Sequence, residues 1–328
     1  MVRRGRKLFA GTRSQTVRNG MKIYTITLNP AYDVHAYAEH FAPFHENLAN
    51  VTSREAGGKG VNLSRALQNG GTDNTAVIVL GKDNCAEFVA ELETAGLQTI
   101  LLEKPGRIRE NLTLHCTDQP ETRISFSGFA VDDSLLDEVA ALLDVDFDTV
   151  ITFTGRVASG MSMDKVKAFL KALQEKGAKI VLDSKSFSLE DIFEVQPWLI
   201  KPNQEEISEY LGCEIHDLDA AIAKAQIFAD HGVTNVMVSL GEQGALLLNG
   251  GNCYIANPPA INAISTIGAG DSSLAGFIAA AKKGESPDLC LQNAVTYGTA
   301  ACLTEGSLPP TAADISAIYP QVQLKQLS

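Results

Sequence analysis

The sequence predicts an α/β protein in which a mostly parallel central sheet lies between two layers of helices, with a small β-sheet lid beside it. Two observations predict this class. Short runs of apolar, often β-branched residues alternate with segments of helical periodicity along most of the chain. Two polar segments with strand-like alternation, residues 32–54 and 108–128, interrupt this order and are too polar for a sheet buried on both faces.

The predicted strands of the central sheet are short and apolar on both faces, as expected under a cover of helices. The first begins after Met21 as KIYTITL, and the others are 75–80 (TAVIVL), 149–154 (TVITFT), 178–183 (AKIVLD) and 235–240 (NVMVSL). Apolar residues at helical spacing predict helices over 60–69, 84–95, 133–143, 163–175, 204–211 and 218–230, and a mostly helical chain after about residue 270. The stretches NLTLHCT and TRISFSG predict antiparallel strands of the lid.

The composition argues against several classes of protein. With 45% hydrophobic and 20% charged residues, the chain is an ordinary globular sequence. Its net charge of −12 disfavours a nucleic acid or an anionic membrane as the main partner, and it contains no run of 18 apolar residues. The six cysteines include no Cys-x-x-Cys pair and no zinc-site spacing, which indicates reduced thiols in a cytoplasmic protein.

The first twenty residues differ from the rest of the chain. They carry six basic residues and no acid, which predicts a disordered basic leader over residues 1–20. An upstream start site or an added segment would explain it, and an organelle transit peptide is the alternative. We expect residues 21–328 to form a single domain with the lid built from two inserted segments.

The stretch STIGAGDSSLAGF, residues 265–277, combines an anion-binding loop with an acid. Gly268, Ala269 and Gly270 expose backbone amides, and the apolar spacing that follows predicts a helix N-terminus at Gly270 or Asp271. Such a terminus favours negative charge. Asp271 is therefore either an ordinary N-cap or a base, kept ionised by the helix dipole, that takes a proton from a substrate hydroxyl during phosphoryl transfer. The three small residues favour the second interpretation.

Two further segments lie where ligands collect in a parallel sheet. In EAGGKGVNLSRAL, residues 55–67, Gly58, Lys59 and Asn62 either contact a substrate closely or form a flexible connector with a solvated lysine. Asp33 follows an Asn-Pro turn at the end of the first strand. It either accepts hydrogen bonds from sugar hydroxyls or is an Asx-type turn residue.

The second half of the chain contains two motifs that are equally open to a structural explanation. In WLIKPNQEEISEYLG, Asn203 and Glu206 are spaced as a helix capping pair, or they steer magnesium-bound water near phosphates. In VSLGEQGALLL, Gly241 and Gly244 suit any hairpin, or a turn over which a nucleotide lies.

Taken together, these motifs resemble those of the ribokinase-like carbohydrate kinases, from Met21 to about residue 320. TLNPAYD, GGKGVN, SGF, KPNQEE, SLGEQG and STIGAGDS occur in the order and spacing of that family, and GGKG and GAGD are about 210 residues apart. TLNPAYD and SGF favour the branch of 1-phosphofructokinase and tagatose-6-phosphate kinase. The resemblance implies the ribokinase-like three-layer α/β/α fold. It also implies transfer of the γ-phosphoryl group of ATP to a hydroxyl of a sugar phosphate, with Mg²⁺ on the nucleotide.

The resemblance also implies a role for each motif and a homodimer formed through the lid. Asp271 matches the catalytic base, and Gly268, Ala269 and Gly270 match the anion hole. The implied sugar-phosphate contacts are Asp33, Gly58, Lys59, Asn62, Arg109 and Asn111. The implied nucleotide contacts are Lys201, Asn203, Ser239, Gly241 and Gly244, with Asn203 and Glu206 holding magnesium through water.

Two departures from the branch concern the acceptor sugar. The lid usually shows Arg-x-Asn-x-Lys, whereas RENLT here keeps Arg109 and Asn111 but has Thr113 in place of the lysine. The usual GSLPSG loop reads GRVASG, in which Arg156 either restores a positive charge or accompanies a different substrate. Fructose 1-phosphate is the expected acceptor, and tagatose 6-phosphate is the close alternative.

Two other classes of function are alternatives to a kinase. The altered lid and loop are compatible with a non-catalytic sugar-phosphate sensor on the same fold, although the retained Asp271 argues against it. A nicotinamide oxidoreductase is disfavoured because no G-x-G-x-x-G follows the first strand.

Overall fold

The computed structural model describes residues 20–117 and 119–327. The predicted leader lies outside these residues except for Gly20, so it stays a prediction. Over the described residues the chain forms fourteen strands and ten α-helices.

The strands are β1 (Lys22–Thr27), β2 (Ala31–Ala38), β3 (Asn50–Gly57), β4 (Thr75–Gly81), β5 (Thr99–Lys104), β6 (Arg109–Cys116), β7 (Thr122–Ser125), β8 (Thr149–Thr154), β9 (Lys179–Asp183), β10 (Leu199–Ile200), β11 (Asn235–Ser239), β12 (Ala245–Asn249), β13 (Asn252–Asn257) and β14 (Gln323–Gln326). The helices are α1 (Lys59–Asn69), α2 (Cys85–Thr94), α3 (Ser134–Leu142), α4 (Met163–Glu175), α5 (Leu189–Val195), α6 (Gln204–Leu211), α7 (Leu218–Asp230), α8 (Ala269–Lys282), α9 (Pro287–Ala301) and α10 (Ala312–Ile318).

The central sheet contains ten strands in the order β14-β13-β12-β11-β10-β9-β8-β1-β4-β5. The seven strands from β11 to β5 are mutually parallel, and β12, β13 and β14 extend one side as antiparallel neighbours. A mostly parallel sheet was predicted, and this prediction is confirmed. Because the seven strands run in the same direction, their carboxyl ends share one edge of the sheet.

Helices cover both faces of this sheet, which confirms the predicted three-layer arrangement. Successive strand residues point to opposite faces, so that Ile151 joins the core beneath α3 to α7 while Val150 joins the core beneath α1, α8, α9 and α10. Phe228 and Phe277 are among the largest fully buried side chains of these two layers. Complete burial of one such side chain contributes roughly 1.5–3 kcal/mol. The sheet edge that carries the polar motifs is thereby held on a rigid apolar support.

A separate four-stranded sheet, the small sheet, has the order β3-β2-β6-β7 and comes from the two polar segments. The prediction that its strands are antiparallel is wrong for the central pair, because β2 and β6 are parallel, with Asp33 opposite Asn111. The reason lies in the central sheet. β2 continues from β1 and β6 follows β5, so two parallel strands deliver the chain to the same edge in the same direction.

None of the helices within the described ranges is both long enough and apolar enough to cross a bilayer. All six cysteines are free thiols, as the sequence predicted.

Candidate active site

Several predicted site residues gather, together with the unpredicted Asp183, along the edge where the parallel strands end. Asp183 is the last residue of β9, Lys201 follows β10 and Ser239 ends β11. Lys59 opens α1 directly after β3. This edge is where ligands bind in open parallel sheets, so residues from distant parts of the sequence can act on one ligand.

Asp271 occupies the third position of α8 and does not cap it. Gly268 is the N-cap, with a left-handed φ of 77° that a residue with a side chain rarely adopts, and no side chain caps this helix. The alternative of an ordinary Asp N-cap is therefore wrong. Within the described chain, the amides of Gly268 and Gly270 and the amide of Asp271 itself have no acceptor. The first turn of α8 thus presents free N–H groups beside a carboxylate.

The Asp271 side chain is almost completely buried, with 7% exposure. Burial raises the pKa of Asp271 to about 6, against the opposing charges of Lys59 and Lys201. The neighbouring Asp183 adds to the rise, whereas a hydrogen bond from Asn62 Nδ2 at 3.3 Å lowers it. Burial thus outweighs the nearby positive charges and the hydrogen bond that favour the ionised form. A carboxyl with this pKa is ionised at neutral pH and is basic enough to accept a proton.

An ion pair between the partly exposed Lys59 and the buried Asp183 adjoins Asp271. Lys59 Nζ lies 3.0 Å from Asp183 Oδ2. Burial alone would raise the pKa of Asp183, but Lys201 and Lys59 hold it below its ordinary value. Burial alone would lower the pKa of Lys59, but Asp183 and Asp271 raise it. Lys59 is thus a fixed positive charge rather than a solvated connector residue.

Sequence reasoning missed Asp183. A signal for it was present, because Asp183 ends the predicted strand 178–183 at the edge where ligands collect. A lone aspartate after an apolar strand is nevertheless also an ordinary turn residue.

Lys201 extends a second positive charge toward the first turn of α8. A methyl group on Gly270 would lie only 3.1 Å from Lys201 Nζ, so the ammonium group sits directly above this residue. Lys201 is buried, yet no carboxylate of the described residues lies within ion-pairing distance. An unpaired buried ammonium group beside free amides is a strong site for an anion.

The small sheet contributes a second polar group. Asn111 Nδ2 donates to Asp33 Oδ1 at 3.0 Å across the β2–β6 pair. Burial raises the pKa of Asp33, while Asn111 and Arg109 act in the opposite direction. The side-chain oxygen of Asn111 is buried without a partner. Thr113, two residues further along β6, is buried and brings no charge to this group.

Asn203 and Glu206 form the capping box that the sequence allowed. Asn203 Oδ1 accepts from the Glu206 amide at 2.7 Å, and Glu206 Oε2 accepts from the Asn203 amide at 3.1 Å. Glu206 Oε1 lies 3.7 Å from Lys185 Nζ, beyond hydrogen-bond distance. One carboxylate oxygen thus remains available to a ligand, while the other side-chain oxygens complete the helix cap.

The turn between β11 and β12 lies beside Asn203, because Ser239 forms an isolated β-bridge with that residue. Gly241 and Gly244 bound a 3₁₀ turn. At Gly244 a Cβ would meet the Ala256 carbonyl oxygen at 2.0 Å and φ is 93°, so the hairpin itself requires glycine there. A nucleotide contact at this turn stays a prediction.

Comparison with known proteins agrees with this geometry. The chain matches the pfkB family carbohydrate kinases over residues 26–313. It is 32% identical over 262 residues to 1-phosphofructokinase of Escherichia coli K12, covering 78% of this chain and 83% of that protein. It is 29% identical over 309 residues to 1-phosphofructokinase of Bacillus subtilis, covering 93% of this chain and all of that protein.

Similarity to a solved structure supports the same family. Phosphofructokinase-2 of Escherichia coli in complex with substrates and products superimposes with a TM-score of 0.85 at 27% identity, covering 91% of this chain and 98% of that chain. The chain therefore belongs to the pfkB family of carbohydrate kinases and is an ATP-dependent sugar kinase similar to 1-phosphofructokinase.

Proposed function

We propose that this protein transfers the γ-phosphoryl group of ATP to a hydroxyl of fructose 1-phosphate, giving fructose 1,6-bisphosphate and ADP. One observation carries the proposal. A buried carboxylate, Asp271, shares the first turn of α8 with free backbone amides and lies near two positive charges, Lys59 and Lys201. The relatives named 1-phosphofructokinase support the choice of acceptor.

Asp271 acts as the general base. Its carboxylate takes the proton of the acceptor hydroxyl as the hydroxyl oxygen bonds to the γ-phosphorus and the bond to ADP breaks. The amides of Gly268, Gly270 and Asp271 form the anion hole for the charge that spreads over the transferring group. The Ala269 amide, which the sequence also predicted to take part, already donates to the Thr266 carbonyl at 3.4 Å. Lys201 offsets the same charge, and Asn62 orients the carboxylate by its hydrogen bond.

The acceptor binds between the small sheet and α1. Asp33 and Asn111 hold its hydroxyl groups, and Lys59 and Arg109 supply charge for its phosphate. Gly58, the N-cap of α1, has a φ of 113°, and a Cβ there would lie 3.2 Å from Thr27 and 3.3 Å from Pro30, so the turn that places Lys59 beside the acceptor requires glycine. We infer that the small sheet is a lid on a single kinase domain. Its strands β2 and β3 lie in the chain between β1 of the central sheet and Lys59 at the start of α1, so the lid is connected directly to the site.

The nucleotide binds along Lys201, Asn203, Ser239, Gly241 and Gly244, which follow the ends of β10 and β11. The side chains at the nucleotide end of the site, Asn203 and Glu206, are compatible with a magnesium ion bound to the phosphates. Within residues 20–117 and 119–327, no three acidic, cysteine or histidine side chains could enclose a metal ion, which suits an ion held mainly by phosphates and water. Asn203 and the free oxygen of Glu206 would contact that water. When bound, the ion neutralises phosphate charge. Such an enzyme works in the cytoplasm, where ATP is supplied.

A panel of acceptors tests the proposal. Purified protein with ATP and magnesium should phosphorylate fructose 1-phosphate with a higher kcat/KM than tagatose 6-phosphate, fructose 6-phosphate, fructose or adenosine, measured by ADP release. Turnover confined to unphosphorylated sugars or nucleosides would refute the sugar-phosphate assignment. Preference for tagatose 6-phosphate would refute the fructose assignment alone, and binding of sugar phosphate without product would indicate a sensor.

We also propose that two copies associate through their lids. The edge strands β3 and β7 of the small sheet expose Val51 and Ile124, and the exposed Phe126 follows β7 directly; Val51 is 66% exposed. Burying such side chains between two copies would stabilise a dimer. Sedimentation should give about twice the 35.0 kDa mass of one chain, and joint Val51→Glu and Ile124→Glu substitution should give a monomer. A monomeric wild-type protein at micromolar concentration would contradict this arrangement.

A further inference from the structure

A small cavity adjoins the nucleotide end of the site and is lined by a tyrosine that the proposed mechanism does not use. Its volume is about 20 Å³, which is large enough to hold a single water molecule. The lining includes three residues of the site, Asp183, Lys201 and Glu206, together with Tyr210 of α6. Tyr210 therefore lies at the border of the site.

The ring of Tyr210 is fixed, whereas its hydroxyl group is free to bind. The ring packs edge-on against the buried Phe228 of α7, with 6.1 Å between the ring centroids and 73° between the ring planes. The hydroxyl has no hydrogen-bond partner in the part of the chain that the structure describes. Burial, together with the negative charges of Glu206 and Asp183, raises the pKa of Tyr210 to about 12, so the hydroxyl keeps its proton and is available as a donor.

Tyr210 and Glu206 share one face of α6. They are four residues apart, so their side chains are neighbours on the helix surface. The Oε2 atom of Glu206 is held by the Asn203 amide, whereas Oε1 makes no hydrogen bond with a described residue and lies 3.7 Å from Lys185 Nζ. A donor without an acceptor and an acceptor without a donor thus line a cavity of the size of one water molecule.

We propose that Tyr210 is a positioning residue that orients the free oxygen of Glu206, through a water molecule in this cavity, for contact with nucleotide-bound magnesium. This inference rests on the proposed function and adds a residue to the magnesium end of the site. A group that hydrogen-bonds to a metal-binding carboxylate holds it in one orientation, and removal of such a group typically lowers metal affinity about 10- to 100-fold. Tyr210 itself contacts neither the nucleotide nor the acceptor in this arrangement.

The test is a binding measurement with ADP and the Tyr210→Phe variant, which keeps the ring against Phe228 and removes only the hydroxyl. Calorimetric titration gives the Kd of ADP in magnesium and in EDTA, and the ratio of the two is the gain in affinity due to the metal. We expect Tyr210→Phe to reduce this gain about 10-fold, with the Kd in EDTA within about twofold of wild type. Tyr319→Phe removes the hydroxyl of an exposed tyrosine that follows α10 and should match wild type.

Coupling to Glu206 separates a positioning role from a merely structural one. Glu206→Gln keeps the cap of α6 but removes the charge, and in that background Tyr210→Phe should change the gain from magnesium less than about twofold. An unchanged gain in Tyr210→Phe alone would overturn the inference. An equal loss in both backgrounds would also overturn it, because Tyr210 would then act independently of Glu206.

These measurements are distinguishable from a failure of the proposed function. They use no acceptor, so an acceptor panel that refutes the sugar-phosphate assignment leaves their outcome unaffected. An equal Kd of ADP in magnesium and in EDTA for the wild-type protein would refute the magnesium site itself, and the inference with it.

Discussion

Asp271→Asn should lower kcat by about 10² or more while ATP still binds. Asparagine keeps the size of the side chain and can still accept the hydrogen bond from Asn62, but it cannot take a proton. The loss should appear in kcat rather than in KM for ATP, since the proposed nucleotide contacts follow the ends of β10 and β11. Steady-state kinetics and calorimetric titration with ATP measure the two quantities.

Asp219→Asn is the matched control. Asp219 is an exposed carboxylate in the first turn of α7, so it shares with Asp271 a place in the first turn of a helix but not the burial. Its substitution should leave kcat unchanged. Near-normal turnover in Asp271→Asn would remove Asp271 from its role as base.

The raised pKa of Asp271 also predicts how the activity and the stability of the protein depend on pH. Because the base must be ionised, kcat/KM of the wild-type protein should rise with pH through about 6 and then level off. Folding favours the protonated acid, so its stabilising contribution is present below about pH 4 and is lost as the pH rises through about 6. A shift of about two units corresponds to about 3 kcal/mol.

Above about pH 6 the folded protein must hold the buried Asp271 in its ionised form, which lowers the free energy of unfolding. Asp271→Asn removes this destabilising effect. The inactive variant should therefore melt at a higher temperature than wild type at pH 8, and the difference should shrink toward pH 5. A variant that is less stable than wild type at pH 8 would show that the carboxylate is a net stabiliser of the fold.

Lys59→Met should lower kcat/KM for the acceptor by about 10²–10³, since it removes a preorganised positive charge from a partly dehydrated site. It should also move the acid limb of the pH profile above 6. Lys59 is the largest influence that opposes the effect of burial on the pKa of Asp271, so its loss leaves that carboxyl harder to ionise. Asp183 would lose its partner at 3.0 Å and keep the more distant charges of Lys201 and Lys185.

Lys59→Arg is the conservative variant and should hold the acid limb near its wild-type position. Lys165→Met, at an exposed lysine of α4 that makes no ion pair among the described residues, should change neither quantity. If Lys59→Met keeps an acid limb at about pH 6 and a normal acceptor KM, then Lys59 neither tunes the base nor binds the acceptor phosphate.

Much of the fold was predictable because its signals are local. Apolar runs such as 149–154 and 178–183 became β8 and β9 with almost the same bounds, and the periodic segment 163–175 became α4. Strand and helix periodicity act over about ten residues, so they do not depend on the rest of the molecule. The short elements β5 and α5 lack a strong pattern and were not predicted.

The pairing of the small sheet was not predictable from its own residues. The alternating polar pattern of β2 and β6 is the same for parallel and antiparallel neighbours. Their direction was decided by β1 and β5, which deliver both strands to one edge of the central sheet.

The sequence by itself determined the family, the glycine-rich loops and the acid that we propose as base, because each depends on a short contiguous motif. Only the tertiary structure decided what surrounds that acid. Asn62 reaches Asp271 across 209 positions of sequence, and Lys59 reaches Asp183 across 124. These distances follow from the strand order, which many sequences with the same local patterns could arrange differently. The pKa of Asp271 is the sum of burial and of charges from those distant segments, so it exists only in the folded chain.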